Sequence, residues 1–276
     1  MKAARFDYFK PADRGEAVRL VAASDGMGKF VSGNQSLGPM MNLRLAQPEL
    51  LVDVRGIAAL RECRIDDRYF VIGAGITHAE IEDRRIEDVT QGLLPFVAAG
   101  IAYRAVRNRG TVGGSLAHAD PAADWINVMR LLDAQFLLSG PAGERVVASD
   151  AWMAGAFTTA LEPDELLTAV RIPRLAPTAR WSYYKFNRKP GEFAEAIAAF
   201  YDDAASGVCR AVIGAIDAPP FLIDNARALL ERDDPALHAQ HLEHAGLQPG
   251  SYSYQVHRVA LERAARMARE YRRTPQ

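Results

Sequence analysis

The sequence predicts an α+β protein in two parts: a larger N-terminal domain over residues 1–175 and a small α+β domain over residues 178–276. Three observations predict it. Residues 1–56 alternate strand and helix patterns, as a βαβ-type unit does. Residues 57–175 mix strand pairs with apolar helices, which divides the first domain into subdomains near residue 56. Composition then breaks at Pro173 and Pro177, and beyond the break strand patterns precede helical ones.

Taken in order, Phe6 to Phe9 is extended, and Pro11 and Asp13 open a helix with Ala17, Val18, Leu20 and Val21 at helical spacing. Lys29 to Val31 is a short buried strand that runs into the loop Ser32 to Pro39. A helical pattern from Met40 to Leu45 stops before Pro48, and Leu50 to Val54 is the next strand. Leu60 to Ile65 and Tyr69 to Ile72 read as a strand pair across Asp66-Asp67. Thr77 with Glu80 three residues on makes a capping box. Leu93 to Val106 reads as one helix and Pro121 to Leu132 as another. Ala134 to Leu138 and Arg145 to Val147 form a hairpin, and Glu165 to Ile172 is a strand stopped by Pro173. In the second part Trp181 to Phe186, Ala194 to Tyr201 and Val208 to Ile216 are expected as a three-stranded sheet. The helices Asp224 to Glu231 and Ser253 to Tyr271 follow it.

Bulk properties narrow the function. A net charge of −1 over 276 residues gives no nucleic-acid surface. The longest apolar run, Gly92 to Tyr103, is too short to span a bilayer. The N-terminus shows no apolar core of signal-peptide length, so a cytoplasmic protein is expected. Cys63 and Cys209 read as small core residues; two distant cysteines hold no iron–sulfur cluster.

The chain is organised around Arg107 to Asp124, where Gly110, Gly113 and Gly114 crowd together. Either this is a tight turn between two elements, or the backbone is bare because a ligand such as a phosphate approaches it. A second glycine loop, residues 32–38, follows a strand and precedes a helix pattern. Neither loop carries a Gly-x-Gly-x-x-Gly or a P-loop spacing, and no hydrolase elbow or zinc motif is present. Two loops of bare backbone could hold the two ends of one pyrophosphate.

Specific segments now resemble a known family. Gly33-Asn34-Gln35-Ser36-Leu37 followed by Met41 to Ala46, Ile72 to Ile81, Arg107 to Asp124, Tyr184-Lys185-Phe186 and the strand Val208 to Ile216 are similar to the flavin-binding medium subunit of the molybdenum hydroxylases. This is the family of xanthine dehydrogenase and carbon monoxide dehydrogenase, and the likeness spans essentially the whole chain. It implies FAD bound by a two-subdomain domain of the vanillyl-alcohol oxidase type beside a small C-terminal flavoprotein domain. By position, Lys29, Val31, Ser32, Gly33, Asn34, Gln35, Ser36 and Leu37 would wrap the pyrophosphate and adenosine side. Thr111, Gly113, Gly114, Ser115, His118, Asp120 and Asp124 would hold the pyrophosphate, the ribityl chain and the neighbouring backbone. Leu167 would border adenine or flavin, and Lys185 would lie near the isoalloxazine carbonyls. Ser32 stands before Gly33 where bacterial members usually have a second glycine. Ser115 stands where the family's loop usually ends in Asn, keeping a hydroxyl but not the amide donors, with its main-chain N–H still expected to serve.

The resemblance further implies an oxidoreductase subunit with no catalytic dyad and no metal of its own. Molybdopterin would sit on a large partner and [2Fe–2S] clusters on a small one, in a dimer of heterotrimers, with electrons passing through FAD to an external acceptor. Two other readings are a cofactor-depleted scaffold subunit of the same complex and a free-standing FAD oxidase. Several residues keep simpler readings beside these: His118 as a loop polar group, Asp124 as a helix cap, Lys29 and Lys185 as solvated charges, Arg107 and Arg109 as surface or interface charges. The Arg263, Arg266, Arg269, Arg272 and Arg273 run reads as a solvated helix face or a subunit contact.

Overall fold

The computed structural model describes residues 2–273, and side chains through residue 270. Strand β1 (Asp7–Phe9), helix α1 (Arg14–Ala22), strand β2 (Gly28–Val31), helix α2 (Leu37–Asn42) and strand β3 (Leu50–Asp53) build a parallel sheet of order β1-β3-β2. Parallel strands need crossover helices, and both are supplied here. Asp13 starts α1 by accepting from the Glu16 N–H at 2.8 Å. The helix then buries Ala17, Val18 and Val21 against Val52, Val54, Ile57 and Leu60.

A five-stranded antiparallel sheet follows, of order β4 (Cys63–Ile65), β5 (Tyr69–Gly73), β10 (Leu166–Pro173), β6 (Gln135–Gly140) and β7 (Gly143–Ala148). Between β5 and β6 run α3 (His78–Glu82), α4 (Leu93–Ala99), α5 (Arg104–Arg107), α6 (Val112–His118) and α7 (Asp124–Leu131). Between β7 and β10 lie α8 (Ser149–Trp152) and the short ribbon β8 (Met153–Gly155) and β9 (Thr158–Thr159). The helices pack on the sheet through a core containing Phe70, Leu94, Trp125 and Met129, where Phe136 and Trp152 stack with ring centroids 4.1 Å apart.

The third sheet is antiparallel, β11 (Arg180–Phe186), β12 (Ala196–Asp203), β13 (Val208–Gly214) and β14 (Phe221–Ile223), with α9 (Arg227–Glu231), α10 (Pro235–His244) and α11 (Tyr252–Arg273). Every residue of β12 is buried because both of its faces are covered. Ile197, Ala199 and Tyr201 join the core under α7, while Ala196, Ala198 and Phe200 join the core under α11. The period of two thus feeds two cores from one strand. Within the basic run, Arg263 stacks on the Tyr184 ring and Arg269 donates to the Leu229 carbonyl at 2.9 Å, so this face is partly committed to the chain itself. The side chains of Arg272 and Arg273 lie outside the described residues.

Four expectations are corrected. The stretch 93–106 is two helices, not one. Ala102 turns left-handed at φ 42°, and the Arg107 guanidinium takes the Ile101 and Ala102 carbonyls at 3.0 and 3.1 Å, which withdraws them from a continuing helix. The stretch 60–65 is a 3-10 turn at Ala58–Arg61 before a three-residue strand. The last sheet has four strands, because Phe221–Ile223 pairs with β13 behind a Pro219-Pro220 pair that masks its pattern. Helix α10, unforeseen, starts at an Asp234 cap with Pro235 in its first turn.

Candidate cofactor site

The first loop leaves β2 at Val31 and enters α2 at Leu37. Asn34 holds φ 59°, a left-handed turn that asparagine tolerates, and the Gln35 amide donates to the Gly33 carbonyl at 2.8 Å. Among the described residues, no protein acceptor takes the main-chain N–H groups of Gly33 to Gly38. A run of free N–H groups entering a helix is an anion-binding arrangement.

The second loop is built differently. Thr111 pairs with Thr77 as an isolated bridge. The Val112 and Gly113 N–H groups donate to Ile76 and Ala74 carbonyls, each at 2.9 Å. Thr111 Oγ1 caps α6 by accepting from the Gly114 N–H at 3.0 Å, and donates to Ser32 Oγ at 3.1 Å. The Ser115 N–H goes to the Thr111 carbonyl at 3.0 Å. So this loop offers side chains and a helix end rather than free N–H groups. The expectation for Ser115 is reversed: its N–H is engaged, and its hydroxyl is what remains.

The glycines are bare mainly because chain meets chain. A Cβ on Gly33 would stand 2.2 Å from the Arg109 carbonyl oxygen, and one on Gly113 would stand 2.4 Å from the Ala74 Cβ. Neither has a positive φ. Their absent side chains let the two loops close on one another and on β5's end, which sets the spacing of the groove between them.

That groove is a cavity of about 610 Å³, within the range of cofactor sites. It brings together every residue that the sequence assigned to the cofactor: Lys29 and Val31 to Leu37 on one side, Thr111, Gly113 to Ser115, His118, Asp120 and Asp124 on the other, with Leu167 and Lys185. Lys29 is exposed and Leu167 buried at the cavity wall. The His118 ring packs at 5.2 Å from Phe157, and burial, opposed by the Asp120 charge, holds its pKa below the usual value. Asp120 accepts from the Ala122 N–H at 2.9 Å.

Asp124 and Lys185 are placed together, not separately. Asp124 does not cap α7; Ala123 holds the cap position. Its buried carboxylate accepts from Tyr183 Oη at 2.6 Å and from Lys185 Nζ at 2.7 Å. Lys185 also donates to the Gly100 carbonyl at 3.2 Å. Its ammonium is therefore paired inside the protein rather than solvated. Burial and the Asp124 charge push the Tyr183 phenol well above its ordinary pKa, so it stays a donor. Arg107, read as a surface or interface charge, pairs with Glu82 at 2.8 Å with only 12% of its side chain exposed.

Sequence reasoning missed several contributors, two of which bear on the site's chemistry or shape. Gly191 to Phe193, between β11 and β12, reach the cavity rim; Gly191 holds φ 88° and a Cβ there would stand 2.7 Å from the Tyr103 ring. The Lys189-Pro190-Gly191 turn signal was visible, but not what it faces. His78, at 5% exposure, also borders the cavity. Its sequence signals are its place just after the Thr77 cap and inside the family-like stretch Ile72 to Ile81, and neither marks it as a cofactor contact.

The model of a family described as the FAD binding domain in molybdopterin dehydrogenase matches residues 4–175. The chain belongs to this family. It is 39% identical over 192 residues to the carbon monoxide dehydrogenase medium chain of Hydrogenophaga pseudoflava, covering 70% of this chain and 67% of that one. It is 32% identical over 280 residues to the nicotine 6-hydroxylase medium subunit of Paenarthrobacter nicotinovorans, covering 99% and 97%. Among solved structures, carbon monoxide dehydrogenase from Hydrogenophaga pseudoflava lacking the Mo-pyranopterin moiety matches with TM-score 0.88 and 31% identity over 100% of both chains. Quinoline 2-oxidoreductase from Pseudomonas putida 86 matches with TM-score 0.86 and 30% identity, covering 98% of this chain and 99% of that one. The chain is thus an FAD-binding medium subunit of the molybdenum hydroxylase type, an oxidoreductase component. No described helix is long and apolar enough to cross a membrane.

Proposed function

We propose that this chain is the FAD-carrying electron-transfer subunit of a heterotrimeric molybdopterin hydroxylase or dehydrogenase. In this reading it stands between the [2Fe–2S] clusters of a small subunit and an external acceptor, with a large molybdopterin subunit performing the substrate chemistry and two heterotrimers forming the complex. The single observation that carries the FAD site is the run of free N–H groups from Gly33 to Gly38 beside a cavity of about 610 Å³. FAD, when bound, supplies the redox chemistry: it takes up electrons and passes them on.

The chain's own residues do the rest. The Gly33–Gly38 N–H groups and the start of α2 would donate to the pyrophosphate oxygens. Thr111 fixes the distance between the loops through Ser32. Ser115 and His118, both on the cavity wall, would take the ribityl chain, and Leu167 would give an apolar wall. In this reading residues 1–175 are the FAD-binding domain and residues 178–276 the C-terminal flavoprotein domain, whose Lys185 and Gly191 to Phe193 line the cavity. Lys185 and Asp124 hold that end in place.

The test is direct. The purified chain should show flavin absorption bands, and denaturation should release FAD. A colourless protein that cannot be reconstituted with FAD overturns the reading. Purification of the native complex should yield two further subunits, one carrying molybdenum and one carrying [2Fe–2S] clusters; a chain that purifies alone and turns over substrate overturns the electron-transfer role.

A further inference from the structure

His78 sits at the first turn of α3, under the start of the second loop. Its N–H donates to the Gly110 carbonyl at 3.0 Å, and Thr77 caps the turn in a complete capping box. The backbone position is therefore fixed. So is the ring: Trp125 Nε1 donates to His78 Nδ1 at 3.0 Å, in the core. An imidazole whose Nδ1 accepts carries its proton on Nε2. The ring is also neutral. Burial, with the nearby Arg107 charge, lowers its pKa to about 4.

Nε2–H is thus a donor on a side chain of 5% exposure, and no protein acceptor meets it among the described residues. Nε2 is not one of the atoms sealed inside the protein without a partner, so it opens on the cavity, where a ligand oxygen can accept from it. His78 borders the cavity, and Gly110 keeps the approach open: a Cβ there would stand 2.9 Å from Nε2. The second loop needs such a group. The N–H groups of Val112, Gly113, Gly114 and Ser115 are all engaged within the chain.

We propose that His78 donates a hydrogen bond from Nε2 to a pyrophosphate oxygen of the bound dinucleotide, as the second loop's counterpart to the N–H run of the first. This rests on the FAD reading above. The donor adds no charge, so the phosphates are held by one neutral imidazole here and by backbone dipoles opposite. Trp125 acts through His78 as a positioning residue.

The experiment uses the full chain stripped of flavin, titrated with FAD by fluorescence quenching and with ADP by calorimetry. If the wild type binds neither, the FAD reading fails, and this inference with it. With wild-type binding established, H78F should weaken FAD and ADP alike, by about ten- to a hundredfold, and H78Q, which keeps a donor, should recover most of the loss. A folded H78F that binds both as the wild type does overturns the proposal. So does a loss for FAD with none for ADP, which would move the bond off the phosphates. Should H78F not fold, nitrogen NMR of the wild type decides: ADP should shift the His78 Nε2–H resonance with Nδ1 unprotonated, and an unmoved resonance overturns the assignment.

Discussion

Lys185 Nζ lies 2.7 Å from Asp124 Oδ2, joining the first strand of the C-terminal sheet to the first turn of α7. Both side chains are largely buried, with 12% and 5% exposed. Two residues that look like separate cofactor ligands in sequence are one joint at the far end of the cavity. Tyr183, two residues before Lys185, completes it through the other carboxylate oxygen.

Breaking one side of a buried pair strands the other charge. Lys185→Met should destabilise the chain by about 3 kcal/mol, measured by urea unfolding. Lys185→Met combined with Asp124→Asn should lose less than the sum of the single changes. Additive losses would show that the pair is not coupled.

Asp124→Asn also removes a negative charge beside the cavity. It should raise the flavin midpoint potential by roughly 30 mV, the equivalent of ~1.4 kcal/mol for a two-electron couple, since electron uptake then meets less repulsion. Potentiometric titration reads the sign, and a lower potential contradicts the placement.

Gly33→Ala drives a Cβ into the Arg109 carbonyl oxygen at 2.2 Å. The loops must part, and the expected result is a loss of about 1–3 kcal/mol in stability together with weaker FAD retention on gel filtration. Gly56→Ala is the control. A Cβ there meets nothing within 4 Å, so stability should stay within about 0.5 kcal/mol of the wild type.

Thr111→Val removes the α6 cap and the tie to Ser32 while keeping the side chain's shape. A loss of about 1–2 kcal/mol is expected, with FAD dissociating faster. Thr111→Ser should restore most of both. Equal effects of Val and Ser would rule out the hydroxyl.

The lowered pKa of His78 sets a pH dependence with a definite sign. Its folded value is about 4 against an ordinary 6.5. Between those limits the unfolded chain binds a proton that the folded chain refuses. Stability is therefore full above about pH 6.5 and falls as pH drops toward 4, by at most about 3 kcal/mol from this group. Other histidines, half-buried His118 and buried His238 among them, shift the same way, so the test compares wild type with His78→Gln. The difference between their unfolding free energies at pH 7.5 and 5 should shrink in the variant.

Local rules made much of the fold legible. Asp13, Thr77-Glu80 and the strand patterns at 29–31, 50–54 and 208–216 state their own structure, because caps and period-two burial are written in neighbouring residues. The 93–106 break was not legible. It depends on Arg107 reaching back to carbonyls of a loop, and on Lys185 reaching one from another sheet. The fourth strand at 221–223 was hidden because three residues carry too little pattern to stand out behind two prolines.

By itself the sequence determined the class of the protein, the two glycine loops and the family they belong to, since these rest on short contiguous motifs. Tertiary structure decided what each group does. The sequence shows Gly33 and Gly113 as bare backbone; only the packing shows that other backbone fills the space. It shows Ser115 in a phosphate-like loop; only the helix turn shows that its N–H is engaged. It gives no reason to choose His78 over His118, because the Trp125 bond that fixes the ring comes from 47 residues away. A hydrogen bond depends on distance and angle, and those are set by how the chain closes, not by what stands next to a residue along it.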